Sequence, residues 1–456
     1  MSAKKYELDM CSGPILPKLL KLTLPLMLSS VLQLLFNAAD IIVVGNYASD
    51  NSLAAVGSTS SLVNLITNLF LGVSTGANVV ASRFLGAKDD KNVSRAVHTS
   101  LFLSVVSGLI LTAVGVIFAE KFLELMQTPP EVLSLSATYL RIYFAGTVAM
   151  MLYNFGSSLL RAKGDTKRPL YYLALSGVIN VLLNLLFVIV FKMDVAGVAL
   201  ATVISQCISA ALIIMCLMRE EGAFKFSFKK MLPEKAVCFK ILGVGIPAGI
   251  QGVVFSLSNV VIQSSINSFG SVVMAGSAAA ASIEGFVWVS MNSFSQGALT
   301  FTSQNIGGAK YSRINRIAVI ACSCAALTGL VLGNLCCIFG EFLLGIYDPR
   351  PEIIQPGLTR MGLVCGFYFS CGLMDCIVGA IRGMGYSIAP TIVSLLGACG
   401  LRILWIFTVF TIPEYHTEFM LFLSYPLSWG ITFIVHFICF IIMRRKFPKQ
   451  DAESVT

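Results

Sequence analysis

The chain alternates between long apolar runs and short polar stretches. The apolar runs fall at roughly 15–45, 52–81, 96–118, 132–160, 169–191, 195–218, 238–268, 273–303, 317–340, 353–381, 387–412 and 418–443. Since about 20 apolar residues span the hydrocarbon core of a bilayer, each run predicts one transmembrane helix. The pattern therefore predicts an all-α membrane protein with twelve transmembrane helices, several of them long enough to be tilted or bent.

The composition supports this interpretation. Of 456 residues, 56% are hydrophobic and 12% are charged, about half of the charged fraction of a soluble domain. This excludes a disordered chain and an ordinary cytosolic enzyme. The net charge of +9 does not indicate nucleic-acid binding, because the basic residues are scattered through short loops. Most of the 13 cysteines lie inside apolar runs without a CxxC pair, which favours small hydrophobic side chains over a metal site.

The positions of Lys and Arg predict the orientation. If the N-terminus is cytoplasmic, 26 of the 32 Lys and Arg residues lie at cytoplasmic loops or chain ends. The positive-inside rule therefore predicts a multi-pass protein of the cell membrane with both termini in the cytoplasm.

The second half of the chain repeats the first. Four pairs of like residues share an offset of 221 positions: Gly86 and Gly307, Arg161 and Arg382, Gly164 and Gly385, Pro169 and Pro390. Each repeat contains six spans, so both insert with the same orientation, and a pseudo-two-fold axis along the membrane normal is expected. We predict a six-helix lobe at 1–218, a cytoplasmic linker at 219–236, a six-helix lobe at 237–443 and a cytoplasmic tail at 444–456.

Three acids lie within the predicted spans: Asp40, Glu284 and Asp375. A charged side chain at the bilayer centre costs about 2.5–3.5 kcal/mol on insertion scales, so such residues are candidates for ion or substrate binding. The alternative is that one or more of them lies at the membrane interface or in a helix–helix contact.

Asp40 has the most support from its surroundings. It belongs to a polar stripe on one face of an otherwise apolar helix, spaced three or four residues apart: Ser30, Gln33, Asn37 and Asp40. Such a stripe must face a wet cavity or other polar groups. Loss of hydration there favours the neutral form of the Asp40 carboxyl. Pro25 supplies a bend point in the same span.

Several segments resemble the multidrug and toxic compound extrusion (MATE) transporters. They are PLMLSSVLQLLFNAADIIVVG in the first span, the paired SRFLGAK and SQNIGGAKYSR, and LRAKGD…P with its twin IRGMGY…P. The resemblance covers nearly the whole chain. It is closer to the branch with a first-span Asp, because the seventh span contains no acid. It implies twelve helices in two lobes and efflux of organic cations driven by inward H⁺ or Na⁺, without a cofactor.

The resemblance also implies a cation site in the first lobe. Asp40, Asn154, Asn180 and Asn184 match the family's pattern there, and we add Asn37 from the polar stripe as a further candidate. Some members have a second acid where this chain has Asn184, so a tightly held pair of cations is not expected. Transient Na⁺ binding at Asp40 is compatible with this set.

The second lobe contributes Glu284, Asp375 and Arg402 as candidates. Under the 221-residue offset Asp375 falls on Asn154, so both lobes have a polar group at the same depth. Two interpretations stay open at this point. The acids bind an ion, or Arg402 neutralises Asp375 or Glu284 as a buried pair.

Enzymatic function is disfavoured. The segment Gly72–Gly76 (GVSTG) fits the GxSxG nucleophile motif, but it lies in an apolar helix and also fits GxxxG, which favours close helix contact. No Gly-Lys dipeptide of an ATP-binding loop occurs. The prediction is a monomeric secondary antiporter for amphipathic cations, in contact with membrane lipid. A lipid-linked saccharide flippase of the same superfamily is the alternative, and a helical scaffold is a weaker one.

Overall fold

The computed structural model describes residues 7–451, which are mostly helical. A helix satisfies its backbone hydrogen bonds within one segment, as a lipid environment requires. The first eight helices are α1 (Ile15–Tyr47), α2 (Asp50–Gly86), α3 (Asp90–Leu125), α4 (Pro130–Ala145), α5 (Thr147–Lys163), α6 (Lys167–Leu185), α7 (Asp194–Met218) and α8 (Lys235–Asn267). The others are α9 (Ser271–Gly307), α10 (Ile314–Ile338), α11 (Gly340–Tyr347), α12 (Pro351–Val364), α13 (Tyr368–Gly383), α14 (Ile388–Ser394), α15 (Leu401–Phe407) and α16 (Glu418–Arg444).

These helices give the predicted number of spans. Within the described range, 10 helical segments are long and apolar enough to cross a membrane. Two further pairs, α4 with α5 and α12 with α13, each bend by 47° at a short break. If each bent pair is one span, the total is 12. The prediction of an all-α membrane protein with twelve spans is therefore confirmed.

The chain divides into two compact units. The first unit comprises Leu28–Gly249 and a segment that ends at Asp9, and the second comprises Met10–Met27 and everything from Ile250 onwards. Each division falls two residues after a proline inside a helix, Pro25 in α1 and Pro247 in α8. Proline lacks the N–H that an interior helix position donates, so both helices are weakened where their halves enter different units.

The backbone repeats with the offset seen in the sequence. Gly164 and Gly385, 221 positions apart, both adopt positive φ, at 92° and 95°. Lys88 and Ala309 have the same offset and are also left-handed, at 55° and 53°. Because non-glycine residues rarely adopt positive φ, this agreement confirms the internal repeat. The exact boundaries of the two lobes stay a prediction.

The segment between α7 and α8 packs closely on the first unit. It forms two short 3₁₀ turns, Gly222–Phe224 and Phe228–Lys230. Phe224 and Phe226 are buried in the apolar core of this unit. The predicted linker 219–236 is thus anchored to the first unit by apolar side chains.

Glycines allow α2 to approach the first half of α8 at backbone distance. A Cβ added to Gly72 would lie 2.2 Å from the Gly249 nitrogen, and one added to Gly76 would lie 2.2 Å from the Ile241 carbonyl oxygen. Any larger residue would push the two helices apart. The GVSTG segment of α2 therefore forms a close contact with α8, as the GxxxG interpretation predicts.

We expect Gly72→Ala to destabilise the protein by about 1–3 kcal/mol through overpacking against α8. Gly57→Ala is the matched control, because it lies in the same helix and an added Cβ meets nothing within 4 Å. Thermal unfolding of the two purified variants in the same detergent measures the difference. Equal melting temperatures for both variants would contradict the proposed contact.

Candidate functional site

The polar stripe of α1 ends at a buried polar network in the first unit. Asp40 is half-buried, whereas Asn37, one turn earlier, and Gln33, two turns earlier, are exposed. The amide of Asn184 donates a hydrogen bond to Asp40 Oδ1. The exposed part of the stripe thus leads to a carboxyl that is partly enclosed by protein.

Two other helices build the network behind Asp40. Asn180 and Asn184 are four residues apart on α6, so they lie on one face of that helix, and both are buried. Asn184 Nδ2 also donates to Asn180 Oδ1 at 3.3 Å. Asn180 Nδ2 donates in turn to Thr202 Oγ1 on α7 at 3.4 Å. Asp40, Asn184, Asn180 and Thr202 form one hydrogen-bonded chain, which we call the Asp40 network.

Thr202 was missed by the sequence reasoning. Its hydroxyl bonds to the carbonyl of Val198 in its own helix at 3.0 Å, as threonines in apolar helices commonly do. The signal in the sequence was weak, because a threonine in an apolar helix can donate its hydroxyl hydrogen bond to its own helix and needs no partner on another helix. Only the packing of α6 against α7 brings it to Asn180.

Asn154 and Asn37, which we also expected near Asp40, are not hydrogen-bonded into the network. Asn154 lies on α5, and its amide donates to the Met150 carbonyl one turn earlier at 2.8 Å. Asn37 is exposed on α1. The structure therefore brings together three of the five predicted residues, Asp40, Asn180 and Asn184.

An apolar cluster adjoins the Asp40 network. Val44, Val188 and Val198 are each four residues from Asp40, Asn184 and Thr202 respectively, and all three are buried in the same cluster. Tyr139 from α4 packs against it. Buried apolar side chains exclude water, so this layer bounds the network on one side and strengthens electrostatic interactions within it.

Glu284, in the second unit, forms a buried ion pair. Arg360 on α12 donates to both carboxylate oxygens of Glu284, from Nε at 2.8 Å and from Nη2 at 2.7 Å. Arg360 Nη1 donates to Ser277 Oγ at 2.8 Å. The partner of Glu284 is thus Arg360, which the sequence reasoning did not consider, and not Arg402. A bidentate pair of this kind neutralises the carboxylate.

Arg402 on α15 is solvated by aromatic rings. Its guanidinium carbon lies 4.2 Å from the ring centre of Tyr425 and 5.3 Å from that of Trp429. Its Nε donates to Ser428 Oγ at 2.8 Å. Among the described residues no carboxylate lies within 4.0 Å of Arg402. Cation–π contacts stabilise this buried charge, and not the ion pair with Asp375 or Glu284 that was one of the two open interpretations.

Asp375 on α13 is half-buried and also has no ion-pair partner in the described part of the chain. The indole of Trp288 on α9 lies beside its carboxyl. The three acids therefore have different surroundings. Glu284 is paired with a cation, whereas in the described part of the chain Asp40 and Asp375 have only neutral neighbours within bonding distance. Either carboxylate can therefore be neutralised by binding a proton or a small cation.

We expect Arg360→Ala to destabilise the protein by about 3–5 kcal/mol, because it leaves Glu284 as an uncompensated buried charge. Arg350→Ala removes the exposed pair with Asp348 and should leave the free energy of unfolding nearly unchanged. Denaturant titration of the purified variants measures both. The double variant Glu284→Gln/Arg360→Gln should recover much of the loss. If the double variant is no more stable than Arg360→Ala, the loss of free energy of unfolding comes from the lost packing of the guanidinium and not from the unpaired charge of Glu284.

Comparison with known proteins identifies the family. The sequence profile of the MatE family matches residues 25–186 and again residues 247–408. The chain is 28% identical over 396 residues to the probable multidrug resistance protein YpnP of Bacillus subtilis, covering 86% of this chain and 88% of that one. It is 28% identical over 388 residues to the probable multidrug resistance protein YoeA of the same organism, covering 83% of each.

Solved structures share the fold. The crystal structure of MATE in complex with MaL6 matches with a TM-score of 0.90 at 19% sequence identity, over 96% of this chain and 98% of that one. The two matches of the family profile are displaced by 222 residues, in agreement with the internal repeat. The protein is a transporter rather than an enzyme, and the chain belongs to the MatE family of multi-pass membrane transporters.

Proposed function

We propose that this protein is a secondary antiporter that exports amphipathic organic cations in exchange for inward H⁺ or Na⁺, with Asp40 as the coupling carboxyl. One observation carries the proposal. Asp40 is bonded by the neutral amide of Asn184, and no Lys or Arg of residues 7–451 pairs with it. The names of the relatives YpnP and YoeA support multidrug compounds as the cargo.

The coupling of ion and cargo binding follows from the absence of a fixed positive charge beside Asp40 among residues 7–451. Asp40 is neutral when protonated, is balanced when it holds Na⁺, and is negative when empty. Only the negative form attracts an organic cation. Because the driving ion and the cargo compete for one carboxylate, binding of either weakens binding of the other by the same factor. This mutual exclusion couples their movements.

The residues present fit either driving ion. A proton needs only the Asp40 carboxyl. Sodium prefers several oxygen ligands, as hard cations do, and Asn184 Oδ1 is a buried acceptor without a hydrogen-bond partner in the described part of the chain. Transport by purified protein in liposomes, with pH and Na⁺ gradients imposed separately, would identify the ion.

A change in the charge of Asp40 can alter the backbone of α1 at Pro25. Pro25 lies in α1 with Asp40, and α1 divides between the two compact units two residues after it. A helix kinks most readily at proline. We infer that neutralising Asp40 changes the bend of α1 at Pro25. We further propose that the protein acts as a monomer in the cell membrane, with both chain ends in the cytoplasm.

A lipid-linked saccharide flippase is the alternative. Such a protein would need several free basic groups for a pyrophosphate. Arg360 is occupied by Glu284, and Arg402 is enclosed by Tyr425 and Trp429. The acids Asp40 and Asp375 lack such partners among the described residues, which favours cationic cargo.

We expect Asp40→Asn to abolish coupled efflux while leaving expression and folding intact, because the isosteric amide cannot change charge. Asp375→Asn should reduce efflux less. Accumulation of a fluorescent organic cation in cells without their own pumps measures export, and Glu120→Gln is the control for an exposed acid. Full resistance in cells that express Asp40→Asn at the wild-type level would exclude this mechanism and shift attention to Asp375.

A second test compares two asparagines that the sequence alone does not distinguish. Asn184→Leu removes the donor to Asp40 and should lower efflux about tenfold or more, since a hydrogen bond to a charged group contributes about 1.5–3 kcal/mol. Asn154→Leu removes a bond to its own helix and should change efflux less than about twofold. Initial rates in liposomes measure both. Equal defects would contradict the special role of the Asp40 network.

A further inference from the structure

A groove on the second unit lies outside the candidate site. It has a volume of about 710 Å³ and runs between α10 and α16 over α13. Its wall is apolar and includes Val319, Leu373, Ile377, Phe433 and Phe437. Val319 is 64% exposed and Phe437 47% exposed, so the apolar wall is accessible from outside at these positions.

The groove ends at a basic rim. The charged residues that line it are Arg444, Arg445 and Lys449, and its lining includes no carboxylate. Ser312 and Asn315 add polar groups at the same end. Asp451 lies beside the rim, where it accepts from the Ser312 amide at 2.9 Å and pairs with Lys310 at 3.9 Å. The rim therefore keeps a net positive charge.

Arg444 fixes this rim in place. It is 8% exposed, and its Nη1 donates to the carbonyls of Phe447 and Pro448 at 3.1 and 2.9 Å. Its Nη2 donates to the Tyr311 carbonyl at 2.8 Å. All three acceptors are neutral, and Nε is buried without a hydrogen-bond partner in the described range. The buried Arg444 guanidinium, whose acceptors are neutral carbonyls, therefore favours binding of an anion.

The dimensions match one leaflet of a bilayer. The lining residues of α16 extend from Phe433 to Arg444, about 16 Å along a helix that rises 1.5 Å per residue. Half of the hydrocarbon core is about 15 Å thick. The basic rim lies where α16 ends and α10 begins, which the positive-inside rule places at the cytoplasmic surface.

We infer that this groove binds one anionic phospholipid of the cytoplasmic leaflet, with an acyl chain against the apolar wall and the phosphate at Arg444, Arg445 and Lys449. Basic pockets between transmembrane helices on the cytoplasmic side hold such headgroups in general. An amphipathic cation fits the wall but is repelled by the rim, and free phosphate fits the rim but leaves the wall uncovered. The inference does not depend on the proposed antiport.

Native mass spectrometry of the full chain in detergent, with equal amounts of phosphatidylglycerol and phosphatidylcholine, tests the inference. The wild type should retain phosphatidylglycerol preferentially. Arg445→Gln/Lys449→Gln should lower that preference about 30-fold, the equivalent of about 1 kcal/mol for each basic side chain near the surface. Both side chains are exposed, so folding should be unaffected. Lys229→Gln/Lys230→Gln removes the same charge from an exposed site of the first unit and should change nothing.

A second variant separates a lipid from a free anion. Val319→Trp fills the groove without touching its charge and should reduce retention of phosphatidylglycerol, whereas excess inorganic phosphate should not displace the lipid from the wild type. Equal retention of the two lipids by the wild type would overturn the inference. So would an unchanged preference in Arg445→Gln/Lys449→Gln, or full displacement by inorganic phosphate.

Discussion

A charged side chain inside a membrane must be solvated by the protein itself, because lipid offers it neither water nor a counter-ion. Three side chains in the described spans meet that requirement in different ways. Glu284 receives a bidentate guanidinium from Arg360. Arg402 lies against the rings of Tyr425 and Trp429. Asp40 receives a neutral amide from Asn184. The first two arrangements hold a charge permanently, and only the third lets the charge change.

This difference separates stabilising residues from functional ones. A carboxylate held by a guanidinium gains nothing from a proton, since protonation would leave the guanidinium as the bare charge. A carboxyl held by an amide can bond in either protonation state. The Asp40 network extends this property through Asn180 to Thr202, all of it within the first unit. The second unit has its own acid without an ion pair in the described range, Asp375, at the position equivalent to Asn154 of the first.

Close backbone packing accompanies these polar contacts. The glycines Gly72 and Gly76 bring α2 against the backbone of the first half of α8. In the second unit, Gly297 on α9 leaves room for the side chains of Leu19 and Thr23 of α1. Gly76 and Gly297 are again 221 positions apart. In lipid, where burial of apolar surface drives helix association only weakly, such contacts between small residues take over that role. The repeat is thus preserved in packing as well as in backbone dihedrals.

The sequence by itself determined the spans, the repeat and the helix that carries Asp40. These depend on local properties: the length of an apolar run, the spacing of polar residues on one helix, and like residues at one offset. It also placed Asn180 and Asn184 on one face, because their four-residue spacing is a property of the helix. The bends at the α4–α5 and α12–α13 breaks are less visible, since α4 and α5 meet at Gly146 rather than at a proline.

Only the tertiary structure decided which residues meet. Glu284 and Arg360 are 76 residues apart, and Arg402 was an equally reasonable partner on charge alone. Asn154 resembled Asn184 in the sequence, yet it bonds to its own helix while Asn184 reaches Asp40 over 144 positions. Thr202 carried only a weak signal in the sequence. Contacts between helices depend on how each helix is rotated about its axis, and that rotation is set by packing over the whole helix rather than by the polar residue itself.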